Sequence, residues 1–285
     1  MQSARVNADA APQNAARALL AFWRAAGVDM DGAEAIYAAA PAKAASAPAP
    51  ARELVQRPDL DARTAPKPRL RPSPSSPIDN ARAMAAAAES IAELRAAVDK
   101  FDGCALKGTA RQTVFSDGVD NAPVLIIGEA PGKDEDEQGK PFVGRSGQLL
   151  DRMLAQIGLS RKENVLISNT IYWRPPGNRD PTQGEIVACL PFVERLIELS
   201  APRLLILTGK AAAHTVLKRE DGVMKLRGRR LSYTREGLAH PINAMVMLHP
   251  AYLLRQPQQK RLAWADLLLA EYWLEELGVA RVAHP

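Results

Sequence analysis

Three residues of this chain have side chains suited to chemistry, and each stands at the end of a short apolar run. They are the carboxylate Glu129, the amide Asn169 and the imidazole His249. A carboxylate can accept a proton or orient a water molecule, an amide presents one donor and one acceptor group, and an imidazole can donate a hydrogen bond. The three runs span residues 123–128, 164–169 and 244–248, and a fourth apolar run spans 203–207.

The four apolar runs predict strands of a parallel sheet. Longer amphipathic stretches separate them, and a last helix is expected at 261–277. This alternation is typical of an α/β fold whose helices cover both faces of the sheet. Ligands bind beyond the carboxyl ends of such strands, so the segments that follow the four runs, among them TGKAAA at 208–213, are expected to form one site.

The domain organisation changes at about residue 78. Residues 1–40 contain a short amphipathic helix at 15–27, which either packs on its own domain or docks to a partner protein. Residues 41–77 hold nine of the 22 prolines, which predicts a basic, extended linker. Residues 78–285 are expected to form the folded domain, beginning with an alanine-rich helix at 79–99 capped by its first residues.

Composition and charge restrict the classes of function. The 285 residues are 47% hydrophobic and include two cysteines, which excludes a disulfide framework and favours a reducing, cytoplasmic location. We expect no secretory signal and no membrane span. The net charge of +5 suggests an anionic partner, and residues 203–261 concentrate 12 basic against three acidic side chains, with KLRGRR at 225–230 as the densest run. That run is either a solvated loop or a phosphate-binding one.

Four longer motifs carry a resemblance to a known family. They are GEAPG, GKPFVGRSGQLLD, SNTIYWRPPGNRDP and HPAYLLR, which begin at residues 128, 139, 168 and 249. In this order and spacing, the chain from about 104 to 269 resembles the family 4 uracil-DNA glycosylases. The resemblance implies a three-layer α/β/α sandwich around a central four-stranded parallel sheet. It also implies hydrolysis of the N-glycosidic bond of a flipped-out deoxyuridine in DNA, which leaves an abasic site.

The resemblance assigns a role to each residue expected to bind the base. Glu129 would orient the water and stabilise the cationic sugar, and His249 would donate to uracil O2 as negative charge develops. The Asn169 amide matches uracil N3–H and O4 and opposes the pattern of cytosine. Phe142 would stack on the flipped base, and Ala130 would face uracil C5.

The resemblance also indicates where DNA would bind. Candidates for contacts to the phosphates and the DNA-facing rim are glycine, polar and basic residues, namely Gly144, Arg145, Ser146, Gly147, Asn178, Arg179 and Arg255. Leu253, four residues after His249, is the expected wedge that fills the vacated position in the base stack.

Two features depart from the family pattern. Many family members hold an iron–sulfur cluster on four cysteines, and those positions correspond here to Phe101, Cys104, Trp173 and Cys189. Because such a cluster needs four ligands, we expect no cluster, no metal and no other cofactor. A related branch bonds covalently to uracil-containing DNA through a histidine, but the segment WRPPGNRDP at 173–181 has none, which predicts turnover rather than a trapped adduct.

These observations favour a monomeric, monofunctional enzyme that acts on uracil-containing DNA without lyase activity. Two alternatives stay open. One is a glycosylase of broader base range, which also accepts hypoxanthine, xanthine or modified uracils, since Ala130 is small. The other is a non-catalytic DNA-binding or polymerase-accessory module, which the tethered N-terminal helix would suit.

Overall fold

The computed structural model describes residues 76–282. The prediction of an N-terminal helical segment at 1–40 lies outside these residues. So does the prediction of a linker at 41–77, except for Ser76 and Pro77, which begin the first helix.

Six strands and nine α-helices make up the described part of the chain. The strands are β1 (Ser116–Gly118), β2 (Val124–Gly128), β3 (Val165–Asn169), β4 (Leu204–Thr208), β5 (Leu231–Tyr233) and β6 (Ile242–Met247). The helices are α1 (Pro77–Ala87), α2 (Ile91–Lys100), α3 (Lys133–Gln138), α4 (Arg145–Ala155), α5 (Gln183–Ser200), α6 (Gly209–Leu217), α7 (Val223–Leu226), α8 (Pro250–Arg255) and α9 (Lys260–Glu276).

The strands form a single sheet in the order β1-β3-β2-β4-β6-β5. The four central strands are parallel to one another, as expected, and correspond to the four apolar runs. The two edge strands run antiparallel to their neighbours and were not expected. Each has three residues, of which only one is buried. Neither strand therefore shows in the sequence the longer apolar pattern from which a strand can be predicted.

Helices cover both faces of this sheet, which confirms the three-layer α/β/α architecture. Alternate residues of β2 point to opposite faces: Ile127 joins the apolar cluster formed with α1, α2, α5 and α6, and Ile126 joins the cluster formed with α4 and α9. All five residues of each of β2, β3 and β4 are buried, as expected for strands covered on both sides.

The single helix expected at 79–99 is two helices. Ser76 caps α1, whose first residue is Pro77, and the Ser90 side chain accepts from the backbone N–H of Glu93 to cap α2. The alanine-rich composition masks the break, because alanine favours helix on both sides of Ser90.

We also compared the helices with the length and hydropathy that a membrane span requires. Among the helices between residues 76 and 282, none is long and apolar enough to cross a membrane.

Candidate active site

The four parallel strands end at one edge of the sheet, and a cavity of about 650 Å³ opens there. Gly128, the last residue of β2, lies in register with Asn169, the last residue of β3. The cavity lining includes all five residues expected to bind the base, namely Glu129, Ala130, Phe142, Asn169 and His249. The fold thus brings together side chains that lie as many as 120 positions apart in the sequence.

An aromatic pair forms one wall of the cavity. The rings of Phe142 and His249 are stacked, with centroids 5.6 Å apart and an interplanar angle of 29°. Phe142 has a φ of 54°, a left-handed conformation that costs a residue with a side chain on the order of 1–2 kcal/mol. Gly128 makes room for this wall, because a Cβ at that position would lie 2.5 Å from both the Phe142 ring and Asn169 Oδ1.

The imidazole of His249 is held in one tautomer. The backbone N–H of Ala251 donates to His249 Nδ1 at 3.1 Å, so in the neutral ring the proton sits on Nε2. Burial, and after it the positive charge of Arg255, lowers the pKa of His249 from 6.5 to about 4. His249 is therefore a neutral hydrogen-bond donor at physiological pH.

The carboxylate of Glu129 lies half-buried in the same cavity. Burial raises its pKa above the ordinary value, and the negative charge of Asp180 raises it further. Within residues 76–282, no side chain or backbone group donates a hydrogen bond to this carboxylate. It is therefore available to bind a water molecule or a ligand.

Asn169 and Ala130 complete the inner part of the cavity. Asn169 is almost fully buried, yet its amide belongs to the cavity lining at the end of β3. Ala130 follows Glu129 directly and adds only a methyl group to the lining. The cavity therefore offers one buried amide, one imidazole donor, one carboxylate and one aromatic face.

Four of the residues expected to contact DNA line the outer part of the cavity, namely Ser146, Asn178, Arg179 and Arg255. Arg145 is exposed at the first residue of α4. The Arg179 guanidinium also bonds both carboxylate oxygens of Glu185, at 2.9 and 2.6 Å, and lowers the pKa of Glu185 to about 2. This pair ties the cavity wall to the start of α5.

The two glycines before and within α4 have structural roles. The backbone N–H of Gly144 donates to Glu135 Oε1 at 2.9 Å, so in this structure it is not available to a phosphate, which corrects that expectation. Gly147 is buried, and a Cβ there would overlap the carbonyl group of Phe142. Gly147 is thus required for the close approach of α4 to the aromatic wall, and its contact to a phosphate stays a prediction.

Leu253 does not occupy the position of a wedge. Its side chain is 0% exposed and packs in a cluster with Leu149, Leu248 and Ala263. A wedge must project from the surface into the base stack, so Leu253 could act as one only after leaving this cluster, and its role stays a prediction. The position of Leu253, four residues after His249, places it on α8 but does not show on which face of α8 its side chain lies.

The basic run at 225–230 is only partly free to bind phosphate. Arg227 bonds both carboxylate oxygens of the buried Asp266, at 2.9 and 3.0 Å, and so anchors this loop to α9. Arg230 pairs with Glu276 and lies over the Trp273 ring at 5.0 Å. Two of its four cations therefore hold the fold together.

Sequence reasoning missed four side chains at or near the cavity. Lys210, Met224 and Tyr252 belong to its lining, as does Glu135, whose carboxylate accepts three backbone N–H groups. Lys210 could have been found, because it follows the third apolar run directly. Glu135 sits in the run KDEDE at 133–137, whose composition suggests a solvated acidic surface, and only the fold shows that it is buried.

The positions of the family's cluster cysteines hold two aromatic rings and two thiols. Phe101 and Trp173 are buried with their centroids 6.5 Å apart, and the indole N–H of Trp173 donates to Thr113 at 3.3 Å. The buried thiols of Cys104 and Cys189 hydrogen-bond each other, which lowers the pKa of Cys104 and, together with burial, raises that of Cys189.

These residues do not fit an iron–sulfur cluster. Four ligands are required, whereas the two rings fill the space beside two thiols. In the described part of the chain, no group of three or more His, Cys, Asp or Glu side chains is placed to hold a metal ion.

Comparison with known proteins identifies the family of this site. A family model described as the uracil DNA glycosylase superfamily matches residues 115–270, more than half of the chain. The chain belongs to this superfamily. The membership confirms the resemblance carried by the four motifs. The matched region contains all the residues expected to bind the base, whereas Phe101 and Cys104 precede it.

The relatives point to one branch of the superfamily. A type-4 uracil-DNA glycosylase of Saccharolobus solfataricus is 37% identical over 174 residues, which are 59% of this chain and 79% of that protein. The type-4 enzyme of Archaeoglobus fulgidus is 37% identical over 54% of this chain and 78% of its own length. That of Thermotoga maritima is 32% identical over 64% of this chain and 93% of its own length.

Proposed function

We propose that this chain is a uracil-DNA glycosylase, a hydrolase that removes uracil from DNA and leaves an abasic site. The observation that carries the proposal is the single cavity that joins Asn169, Phe142, His249 and Glu129 at the carboxyl edge of the sheet. A DNA-binding module would need basic surface alone, not an amide, an aromatic face and an imidazole donor around one cavity. The type-4 relatives support the same activity.

Recognition of uracil rests on the amide of Asn169. Its oxygen can accept from uracil N3–H while its NH₂ group donates to O4, and cytosine presents the opposite pattern. A buried amide held in this one orientation would reject the wrong pattern, because a mismatched donor would remain unpaired. The Phe142 ring offers a stacking surface, worth about 1–3 kcal/mol for a base.

The chemical step breaks the C1′–N1 bond of the flipped nucleotide. The electron pair of the bond leaves on uracil, and the neutral His249 donates a hydrogen bond from Nε2 to O2, where negative charge develops. A water adds its oxygen to C1′, and the Glu129 carboxylate, which is open to the cavity, orients that water and takes its proton.

The rim of the cavity supplies the groups for binding the DNA backbone. Lys210 and Arg255 are exposed and line the cavity, and neither forms an ion pair with a carboxylate of residues 76–282. They can therefore meet phosphates without breaking an existing contact. Ser146, in the first turn of α4, lines the same cavity, and the exposed Arg145 precedes it in the chain.

We also propose that the enzyme works without an iron–sulfur cluster. The aromatic pair of Phe101 and Trp173 supports this, since it packs the region where the family places its ligands. Iron analysis and the visible spectrum of anaerobically purified protein test it. We expect no bound iron, and a stoichiometric iron signal with a brown chromophore would contradict the proposal.

The catalytic function is assigned to the domain that begins near residue 78. We propose that the protein acts as a monomer, with the base-binding residues all supplied by this domain. The segment 15–27, for which the sequence predicts a helix, would either pack on its own domain or dock to a partner protein, and we propose no catalytic role for it. Removal of residues 1–75 is expected to leave uracil release from short oligonucleotides unchanged.

One assay separates this function from its alternatives. The protein is incubated with oligonucleotides that contain uracil, thymine, hypoxanthine or xanthine, and abasic sites are then cleaved with alkali. We expect cleavage at uracil alone. Cleavage at hypoxanthine or xanthine would indicate a broader base range, and no cleavage at all would refute the enzyme. Omission of the alkali tests for lyase activity. This control is needed because a lysine amine can act as a Schiff-base nucleophile and Lys210 is exposed at the rim.

A further inference from the structure

The backbone on either side of Phe142 is held by two charged side chains that have no assigned role. Arg161, in the turn before β3, donates to the carbonyl oxygen of Pro141 at 3.0 Å and to that of Phe142 at 2.8 Å. On the other side, Glu135 accepts from the backbone N–H groups of Val143 and Gly144, at 3.0 and 2.9 Å. The strained residue is thus fixed from both directions.

All five N–H donors of the Arg161 guanidinium are used. Besides the two carbonyl groups, Nη1 bonds Asp117 at 2.9 Å, and Nε and Nη2 bond Asp151 at 3.0 and 2.9 Å. The side chain is only 15% exposed. Asp117 belongs to the edge strand β1 and Asp151 to α4, so Arg161 links the Phe142 loop to two neighbouring elements.

We propose that Arg161 is a positioning residue that holds the Phe142 ring in the orientation needed to stack on the flipped base. The left-handed φ of Phe142 is unfavourable by itself, so the loop needs contacts that fix it. Loss of the two carbonyl contacts would let the residue relax and turn its ring away from His249. The proposal rests on the proposed function, since it names a determinant of that same base-binding wall.

The first test reads the position of the ring without any activity. Because the His249 ring is stacked against the Phe142 ring, the Hε1 resonance of His249 carries a ring-current shift from Phe142, and the chain has only four histidines to assign. Measured by NMR at about pH 8, this resonance should move in Phe142→Ala and move in the same direction in Arg161→Gln. A matched control is Arg195→Gln, which removes a 20%-exposed arginine that bonds the Ala88 carbonyl and Glu198. The control should leave the resonance in place.

The second test is a double-mutant cycle on uracil release. Phe142→Ala should lower kcat/KM about 5- to 150-fold, the rate equivalent of one stacked base. Arg161→Gln alone should lower kcat/KM about fivefold. In the Phe142→Ala background, Arg161→Gln should change kcat/KM by less than about twofold, because the two residues act through one contact.

Additive losses in the cycle, or an unmoved His249 resonance in Arg161→Gln, would overturn the proposal. If Arg161→Gln does not fold, Asp151→Asn replaces it, since Asp151 is 46% exposed and orients Arg161 without contacting the loop. It should shift the resonance in the same direction by a smaller amount. A wild-type protein that releases no uracil would refute the proposed function while the NMR comparison still decides this inference.

A separate observation concerns the wedge, since Leu253 is buried. Met224, on the short helix α7, lines the mouth of the cavity and is 61% exposed, although its side chain is large and apolar. In the sequence, the exposed Lys225 follows Met224 directly and the exposed Arg229 lies five positions after it. A protruding apolar side chain flanked by cations is the arrangement that a wedge in a charged duplex requires.

We infer that Met224 enters the base stack at the position vacated by the flipped nucleotide. This inference also rests on the proposed function, and single-stranded DNA separates the two, because a strand without a duplex stack needs no wedge. Met224→Ala should lower kcat/KM about tenfold on a uracil-containing duplex and by less than about twofold on the single strand. Met224→Leu should retain the duplex activity.

Equal losses on both substrates, or no loss on either, would overturn the assignment of Met224. Leu268→Ala serves as the matched control, because Leu268 is an exposed apolar residue of α9 outside the cavity lining. It should leave both activities unchanged. Wild-type activity on the single strand tests the proposed function independently of Met224.

Discussion

The neutral state of His249 makes the stability of the folded domain depend on pH. Its pKa is about 4 in the folded protein and 6.5 in the unfolded chain. Between these values the unfolded chain binds a proton that the folded one does not, so acid favours unfolding. The stabilisation is complete above pH 6.5 and is lost as the pH falls towards 4.

The two pKa values set the size of the effect. Between about pH 7.5 and 4.5 this one group should remove about 2.5 kcal/mol from the free energy of unfolding. Other groups also titrate in that range, Asp266 among them with a pKa of about 6. The comparison is therefore made with His249→Gln, which keeps those groups and lacks the imidazole.

Urea unfolding of both proteins at the two pH values measures the effect. We expect the wild type to lose about 2.5 kcal/mol relative to His249→Gln on going to pH 4.5. Arg255→Gln should reduce this difference slightly, because the charge of Arg255 is the second cause of the shift after burial. Parallel stability curves for wild type and His249→Gln would refute the neutral, buried imidazole on which the donor role depends.

Three further variants test other parts of the site and its scaffold. Asn169→Ala should lower kcat/KM for uracil release about 10³-fold while the Kd for undamaged DNA, measured by fluorescence anisotropy, stays within about twofold. Arg227→Met should lower the free energy of urea unfolding by about 3–5 kcal/mol at pH 8, because it strands the buried Asp266, and by less at pH 5, where that carboxyl is protonated. Gly147→Ala should lower the Tm and slow uracil release, because its Cβ would overlap the Phe142 carbonyl.

The parallel core of the fold could be predicted because buried strands leave continuous apolar runs. The four apolar runs correspond to the four neighbouring strands β3, β2, β4 and β6. The carboxyl ends of these parallel strands lie at one edge of the sheet, as their topology requires. The edge strands β1 and β5 could not be predicted, because three residues with one buried side chain are too few to show the alternating apolar pattern of a strand. The break at Ser90 was missed although Ser90 and Glu93 have the spacing of a helix start, because the alanine-rich sequence on both sides favours an uninterrupted helix.

The position of a site residue could be predicted where a reactive side chain stands at a strand end within a motif. It could not be predicted where tertiary packing determines which side chains meet. Glu129, Asn169 and His249 follow from their places at the strand ends. Arg161 and Glu135 could not be predicted, because each acts through hydrogen bonds to the backbone of the Phe142 loop. Arg161 is distant from that loop in the sequence, and Glu135 reaches it only because the chain folds back on itself. The face of a helix on which a residue lies, as for the buried Leu253, likewise depends on tertiary contacts.

The central claim is that one cavity recognises uracil through Asn169 and assists its departure through His249. Direct chromatographic detection of free uracil, released from a uracil-containing oligonucleotide in single-turnover reactions, tests it. We expect one uracil per strand with the wild type, and release slowed by orders of magnitude in both Asn169→Ala and His249→Gln with both variants folded. No free uracil from the wild type, or undiminished release from folded forms of both variants, would contradict it.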